Sequence, residues 1–324
     1  MNGLGVGGSL SPDLVNTANA LLYALMTLTC FAGPLITNAI GFRWTLTLGS
    51  LGYSLYAAGL YLNNRTGATW LVYLGCVTCG ISAGFFWSVE GAVATGYPEQ
   101  HKRGRYIRAP RGIHWREELC EMWRLARSRS ILLLVPLFWY FGWIQAYPGT
   151  YLATYFTVRS RALGSFMTAV VGTLATWLGG SLVDLPWLKN RKHRAIVTFA
   201  VIALMNNAIW IWAVIIQNEH RHTNPVLDWG NQRSFGRGFG LYLFERISFR
   251  LVENYIYWCI GNLSGSPGDQ IRYRSLLRGI KTAGVAVGFG VQAVPTALYC
   301  DSEYQSRPVV HRLTFQLSCH SPSR

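Results

Sequence analysis

The chain has 324 residues, 51% of them hydrophobic and 13% charged, and 29 Lys and Arg against 14 Asp and Glu give a formal net charge of +15. Soluble globular domains are about a quarter charged, so these proportions exclude an ordinary soluble domain, a disordered chain and a disulfide-rich secreted scaffold. On a soluble protein the positive excess would point to nucleic acid, but here it lies between long runs without any charge, and no nucleic-acid partner is implied.

Residues Met1 to Asp13 are Gly-rich and lack the basic start, apolar core and small-residue cleavage site of a removable signal peptide. A bilayer core about 30 Å thick is crossed by about 20 apolar helical residues. Charge-free stretches of that length run from Leu14 to Phe42, Trp44 to Asn64, Thr66 to Val89, Ile131 to Val158, Ala162 to Val183, Ala195 to Asn218 and Thr282 to Cys300. An eighth, Gly238 to Leu263, is apolar and aromatic but holds Glu245, Arg246, Arg250 and Glu253, which must face protein or water if it crosses. The expected fold is therefore all-α, a polytopic transmembrane helical bundle of eight spans in the lipid bilayer. It divides into an amino-terminal bundle (1–98, three spans), a basic linker (99–130), a carboxy-terminal bundle (131–300, five spans) and a polar tail (301–324).

Alternate threading places Arg43, the segment 99–130, Lys189 to Arg194 and Arg272 to Lys281 on one side, with about twice the basic residues of the other; that side is cytoplasmic by the positive-inside rule. The sequon at Asn64 then lies outside, a glycosylation candidate. In the linker, Trp115, Leu119, Met122, Trp123 and Ala126 recur at helical spacing among charged residues, predicting either an amphipathic helix on the membrane surface or a solvated linker. Cys76 and Cys79 form a C-x-x-C with no second pair or nearby His, which reads as helix packing and implies no metal or other cofactor. Pro136 and Pro148 bend or interrupt the fourth span, along which Trp139, Tyr140, Trp143, Tyr147, Tyr151 and Tyr155 serve as belt, packing or solute path.

A cytoplasmic turn recurs in the two halves. Gly33, Asn38, Gly41 and Arg43 follow the first span; Gly180, Asp184 and Arg191 follow the fifth. The small residue lets helices approach, the polar side chain caps a neighbour, and the bases stay among the headgroups. The first turn resembles the loop signature of the major facilitator superfamily. Asn2 to Gly5, Asn16 to Tyr23, Ser82 to Trp87 with Glu90 and Gly91, Lys102 to Tyr106, Thr157 to Leu163, and Gly238 to Phe244 with Asn254, Tyr255, Tyr257 and Trp258 resemble its uncoordinated-93-like branch in fungal form. That resemblance implies two bundles with twelve spans in a complete member, and either small-solute transport or service as an accessory subunit of a channel or receptor. Against that pattern, Met1 begins near the far end of the first family span, two spans are passed over after Ile107, and the tail beyond Cys300 is polar. The acid of the superfamily turn is Asn38 here.

Charges inside spans are the candidates for chemistry. Glu90 is a candidate for proton coupling or solute contact, or an interfacial carboxylate bonded to a neighbouring helix. Arg246, Arg250 and Glu253 share a helical face, as an ion network or as a site for an anionic or zwitterionic solute, while Glu245 needs a partner on another helix. Three readings follow: a secondary transporter of an unidentified small solute, a non-transporting accessory protein of a membrane-protein partner, or an incomplete inactive product. No nucleotide loop or His cluster points to an enzyme.

Overall fold

The computed structural model describes residues 12–96, 115–183, 190–223, 225–230, 232–263 and 267–293. They are almost wholly helical: α1 (Pro12–Thr66), α2 (Trp70–Gly96), α3 (Trp115–Ala126), α4 (Arg129–Trp143), α5 (Ala146–Tyr155), α6 (Val158–Val183), α7 (Arg191–Thr223), α8 (Gln232–Leu263) and α9 (Pro267–Gln292). Among the described residues five segments are long and apolar enough to cross a membrane: Leu14–Thr37, Trp70–Val89, Arg129–Tyr155, Val158–Ser181 and Arg191–His220. This is fewer than the eight charge-free or aromatic stretches. Glycine and hydroxyl residues dilute the stretch after Arg43, and ionisable residues dilute α8 and α9.

Helix α1 is two arms meeting at Gly41, whose φ of 81° and ψ of 163° leave the helical region in a conformation that costs a side chain dearly and glycine little. The turn thus falls within the predicted signature. Contacts fix the directions: Leu22, Thr29 and Gly33 of the first arm meet Gly80, Gly84 and Ser88 of α2 in parallel order, whereas Gly49, Gly52 and Gly59 of the second meet Phe86, Ser82 and Leu71 in reverse. The second arm therefore folds back antiparallel to both, with glycines at the contacts so that backbones approach closely. The buried Cys76 and Cys79 pack with Leu22, Tyr56 and Val72.

The predicted fourth span is two helices. Pro148 lacks an N–H and its ring crowds the carbonyl four residues back, and the break falls there: Ile144 caps α4, and its N–H still reaches the Tyr140 carbonyl. Pro136 lies inside α4 without ending it. Tyr151 and Tyr155 are buried with Leu152, Phe156 and Phe239, while Trp139, Tyr140 and Trp143 stay exposed.

The helix at the last predicted span starts earlier than expected, and the end of that span, residues 294–300, lies outside the described residues, as does the tail 301–324. Residues 272–281, expected as a cytoplasmic loop, lie inside α9, which buries Tyr273, Leu276 and Leu277 against Phe138, Val252 and Ile256. Helix α9 runs antiparallel to the first arm of α1 (Gly279 on Phe31, Gln292 on Asn16) and parallel to α4 (Gly284 on Trp139, Gly288 on Trp143). Helix α8 is parallel to α6, through Gly172 on Arg250 and Gly179 on Asn254, and antiparallel to α7, through Ser248 on Asn206 and Gly240 on Trp212. In the second turn it is therefore Gly179, not Gly180, that receives a neighbouring helix; Gly180 faces open space. Helix α3 forms as the spacing predicts, but divides its apolar face: Met122 and Leu125 are buried in the core under α9, and Leu119 and Trp123 are exposed.

Candidate functional site

The first arm of α1, its second arm and α2 face α8 and α9 across a cavity of about 830 Å³. Aromatic groups line the amino-terminal wall: Tyr23, Tyr53, Tyr56 and Trp87, with the Trp87 indole N–H donating to the Tyr53 hydroxyl at 3.0 Å. The opposite wall is ionic, with Arg250, Glu253 and Tyr257 from α8 and Arg274, Arg278 and Lys281 from α9. The spacing of the three cations on α9, four and then three residues, puts them on one helical face.

Glu253 joins the two helices of that wall. Its Oε2 lies 2.6 Å from Arg250 Nη1 and its Oε1 3.4 Å from Lys281 Nζ. Lys281 is buried, with its ammonium 4.1 Å from the Phe141 ring centroid and 4.8 Å from that of Phe249, where ring quadrupoles help replace lost hydration. The Arg278 guanidinium stands 4.6 Å over Trp87, bringing an α9 cation onto the α2 wall, and Arg274 stands 5.5 Å over Tyr257.

The predicted triad on α8 separates. Arg250 and Glu253 pair, whereas Arg246 turns to Glu245 at 2.6 Å. These two lie beside Phe249, away from the large cavity, and Glu245 lines a crevice with Tyr147, Asn206 and Trp210. Glu245 is thus partnered by its own chain neighbour rather than by another helix. The sequence does not single out Lys281, because a lysine after Arg272, Arg274 and Arg278 reads as loop charge. Glu90 lies on α2 three residues beyond Trp87; its side chain, like that of Asn38, falls outside the described residues, as does Asp184. Arg43 and Arg191 are exposed, as is Asn64, in the last turn of α1. Among the described residues no group of three His, Cys, Asp or Glu is placed to hold a metal ion.

A polar clamp lies where α1, α5 and α9 meet. Asn16 Nδ2 donates to the Gln292 carbonyl at 3.1 Å, and the Thr150 hydroxyl reaches both Asn16 Oδ1, at 3.3 Å, and the Gln292 side-chain oxygen. Midway along the same helices the Thr27 hydroxyl bonds Thr282 at 3.0 Å. A separate lock ties the start of α6 to the α7–α8 connection. Asp228 Oδ1 accepts from Thr157 at 2.8 Å and Ser160 at 2.9 Å, Oδ2 lies 3.0 Å from Arg159, and Arg159 stacks on Trp229.

The Thr157 hydroxyl chiefly holds the Asp228 carboxyl below its ordinary value; desolvation opposes this, and Ser160, the Trp229 N–H and Arg159 add to it. A carboxylate lowered in the folded state adds stability above the unfolded value and loses it as pH falls through the folded one. Asp228→Asn is therefore expected to lower the thermal midpoint at neutral pH and to match the parent in strong acid. A gap that stays constant from neutral to acid pH would contradict this.

Residues 15–116 match the family described as ion channel regulatory protein UNC-93. Over the whole chain and 83% of the relative, it is 30% identical to the Notoamide biosynthesis cluster protein O' of Aspergillus versicolor. It is 24% identical to an UNC93-like protein of Schizosaccharomyces pombe, over 96% of the chain and 78% of the relative. The chain belongs to the UNC-93 family. A plant member, UNC93-like protein 1 of Arabidopsis thaliana, is 23% identical over 90% of the chain and 79% of its own length. No solved structure matches the chain. The UNC-93 match includes Asn16 to Tyr23 and Ser82 to Glu90, which carry the resemblance, and takes in the amino-terminal wall of the cavity. With its apolar helices, family membership makes this an integral, multi-pass membrane protein.

Proposed function

We propose that the protein is a secondary transporter of facilitator type, not an enzyme, in which the two groups of helices rock about the cavity between them. The observation that carries this reading is that cavity, ionic on one wall and aromatic on the other, with the Asn16, Thr150 and Gln292 clamp at one end. The packing directions support eight traverses in alternating sense: the two arms of α1, α2, the α4–α5 pair, α6, α7, α8 and α9. The positive-inside assignment would put the clamp on the outer side, which fits a state closed outward in this reading. The alignment with the A. versicolor relative has 395 positions against 324 residues in this chain. That surplus has the length of two further spans of about 20 residues with their loops, which with the eight traverses would make ten of the twelve expected of a complete member. A transcript read across Ile107 to Arg108 and beyond both ends tests whether those spans are encoded.

The clamp gives the mechanical test. The double variant Asn16→Leu with Thr150→Val removes the three contacts of the clamp, at about 1 kcal/mol net each, and is expected to move the closed–open balance about a hundredfold toward open. Spin labels at the exposed positions Tyr61 and Val226, in a background without native cysteines, will report a longer distance in the variant. An unchanged distance distribution would overturn the transport reading.

A second reading rests on the family's own description as ion channel regulatory. In it the protein holds a channel or receptor and the cavity does not cycle. Co-purification of a stoichiometric membrane partner, without a distance change on breaking the clamp, selects it.

A further inference from the structure

We propose that Glu245 is a proton-binding site, loaded from the outer side of the membrane through His220 and a column of tyrosines on α5. The inference goes beyond the transport reading, to which it would supply the coupling ion, and it is built from residues outside the large cavity.

The first argument is the state of the Glu245 carboxyl, whose side chain is only 10% exposed. Arg246 takes one of its two oxygens: Nε donates to Oε2 at 2.7 Å, and Nη2 lies 2.6 Å from the same atom. Oε1 is buried with no partner among the described residues, and so is the Tyr147 hydroxyl of the same crevice. The other polar groups there are already bonded, Ser248 Oγ donating to Asn206 Oδ1 at 3.3 Å and Asn206 Nδ2 to the Tyr140 hydroxyl at 2.7 Å. A buried carboxylate oxygen that nothing donates to is costly, and a proton on Oε1 removes that cost. The crevice, about 10 Å³, has the size of one water, which can accept from Tyr147 and pass a proton to Oε1. The charge then left on Arg246 keeps the ring faces of Tyr242 and Phe249, 5.7 and 5.4 Å from its guanidinium carbon. Phe249 also lines the large cavity and lies 4.8 Å from the Lys281 ammonium, so the protonation state of Glu245 has a contact through which to reach the cavity wall.

The second argument is the route. Tyr147, Tyr151 and Tyr155 recur every four residues and line one face of α5. Their ring centroids are 5.8 and 5.6 Å apart in succession, and His220 of α7 closes the column 5.0 Å from Tyr155. Helix α7 begins at Arg191, so His220, 7% exposed, stands at the end that the positive-inside rule makes outer. Gln217 donates through Nε2 to the Tyr155 hydroxyl at 3.0 Å, while its Oε1 and His220 Nδ1 are buried without partners among the described residues. Four of the eight such side-chain atoms among the described residues therefore lie along this one column. Polar atoms without fixed partners are free to exchange protons through a water, and Tyr151 is held only by a long contact, 3.4 Å, to the Gly238 carbonyl. The charged groups at the outer end are Glu219 and Arg237, paired at 3.1 Å; at the inner end the cation is Arg246. Histidine exchanges protons near neutral pH and is the entry. It takes one proton from the outer solution, each phenol passes one on as it receives one, and the last rests on Glu245 Oε1 as a neutral carboxyl. One proton enters, one is bound, and no phenolate remains.

The test is infrared spectroscopy of the full chain in phosphatidylcholine nanodiscs, titrated between about pH 4 and pH 9. A carbonyl band of a protonated carboxyl is expected to appear as the pH falls and to be absent in Glu245→Gln. In Glu245→Asp, which keeps the acid should the Gln variant fail to fold, the band should shift. After a fast drop in pH the band should grow about a hundredfold more slowly in His220→Ala and in Tyr151→Phe, with its midpoint unchanged, and added imidazole should restore the rate in His220→Ala. A carboxyl that stays in one state over the whole range, or a band indifferent to both Glu245 variants, overturns the proposal and leaves the crevice as a site for a neutral water. Parent rates in His220→Ala and Tyr151→Phe, each with the parent melting point, overturn the loading through the column. The readout needs no flux, which keeps this proposal apart from the transport reading. The band with an unchanged distance on breaking the clamp retains the proton site and removes transport; a distance change without the band retains transport and removes the proton.

Discussion

Replacing Glu253 by Gln is expected to destabilise the folded protein by about 3–5 kcal/mol, the range for removing one partner of a buried ion pair. The carboxylate is only 13% exposed and is the bridge between Arg250 on α8 and Lys281 on α9. Without it Lys281, 7% exposed as a side chain, retains, among the described residues, the ring faces of Phe141 and Phe249 as partners of a full charge. A cation–π contact contributes about 1–2 kcal/mol, less than the ionic partner it would have to replace. The double variant Glu253→Gln with Lys281→Met removes both charges and fills the same volume, so it should return to within about 1–2 kcal/mol of the parent. Lys281→Met alone should cost less than Glu253→Gln, because Glu253 keeps Arg250. The check is thermal unfolding of the four proteins in one detergent. If the double variant melts no higher than Glu253→Gln, the bridge is not what holds α8 to α9.

The sequence showed one half of this bridge and concealed the other for a physical reason. Arg250 and Glu253 stood out because they interrupt an aromatic, apolar run, where a charge is expensive and must have a partner. Lys281 did not, because it follows Arg272, Arg274 and Arg278, and a cluster of bases before an apolar run reads as a cytoplasmic loop under the positive-inside rule. The signal was nevertheless available: residues 274, 278 and 281 share a helical face, while Tyr273 and Leu276 fall away from it and Leu277 borders it. The same reasoning accounts for Glu245. Sequence geometry put it about a hundred degrees from Arg246 and so assigned it elsewhere, but two long side chains on consecutive residues can still meet at 2.6 Å. The turn at Gly41 was legible because glycine, the bases and the end of an apolar run coincide there. Clamp and lock were not, since Asn16 with Gln292 and Thr157 with Asp228 are joined only by the tertiary packing of ordinary polar residues.

Gly142→Leu is expected to have an effect of similar size by a different route, separating α4 from α9. A Cβ on Gly142 would collide with the Lys281 carbonyl oxygen and lie 2.9 Å from its carbon and 3.1 Å from the Val285 nitrogen. These are backbone atoms of a helix, which cannot swing aside as a side-chain end can. A Cβ on Gly284 of α9 would in turn fall 2.5 Å from the Trp139 carbonyl oxygen, so the two helices touch backbone to backbone, an arrangement typical of small-residue packing in lipid. Overpacking costs about 1–3 kcal/mol in cores that can adjust; here relief requires α9 to move, which also displaces Lys281 from Glu253. Gly142→Leu should therefore lose about 3 kcal/mol or more, and Gly142→Ala should lose less. The loss should shrink when Glu253→Gln and Lys281→Met are already present, because the ionic bridge can no longer be broken. Thermal unfolding of the corresponding cycle measures that coupling. Strict additivity would mean that the helix contact at Gly142 and the bridge at Glu253 act independently, and that α9 can shift without disturbing the cavity wall.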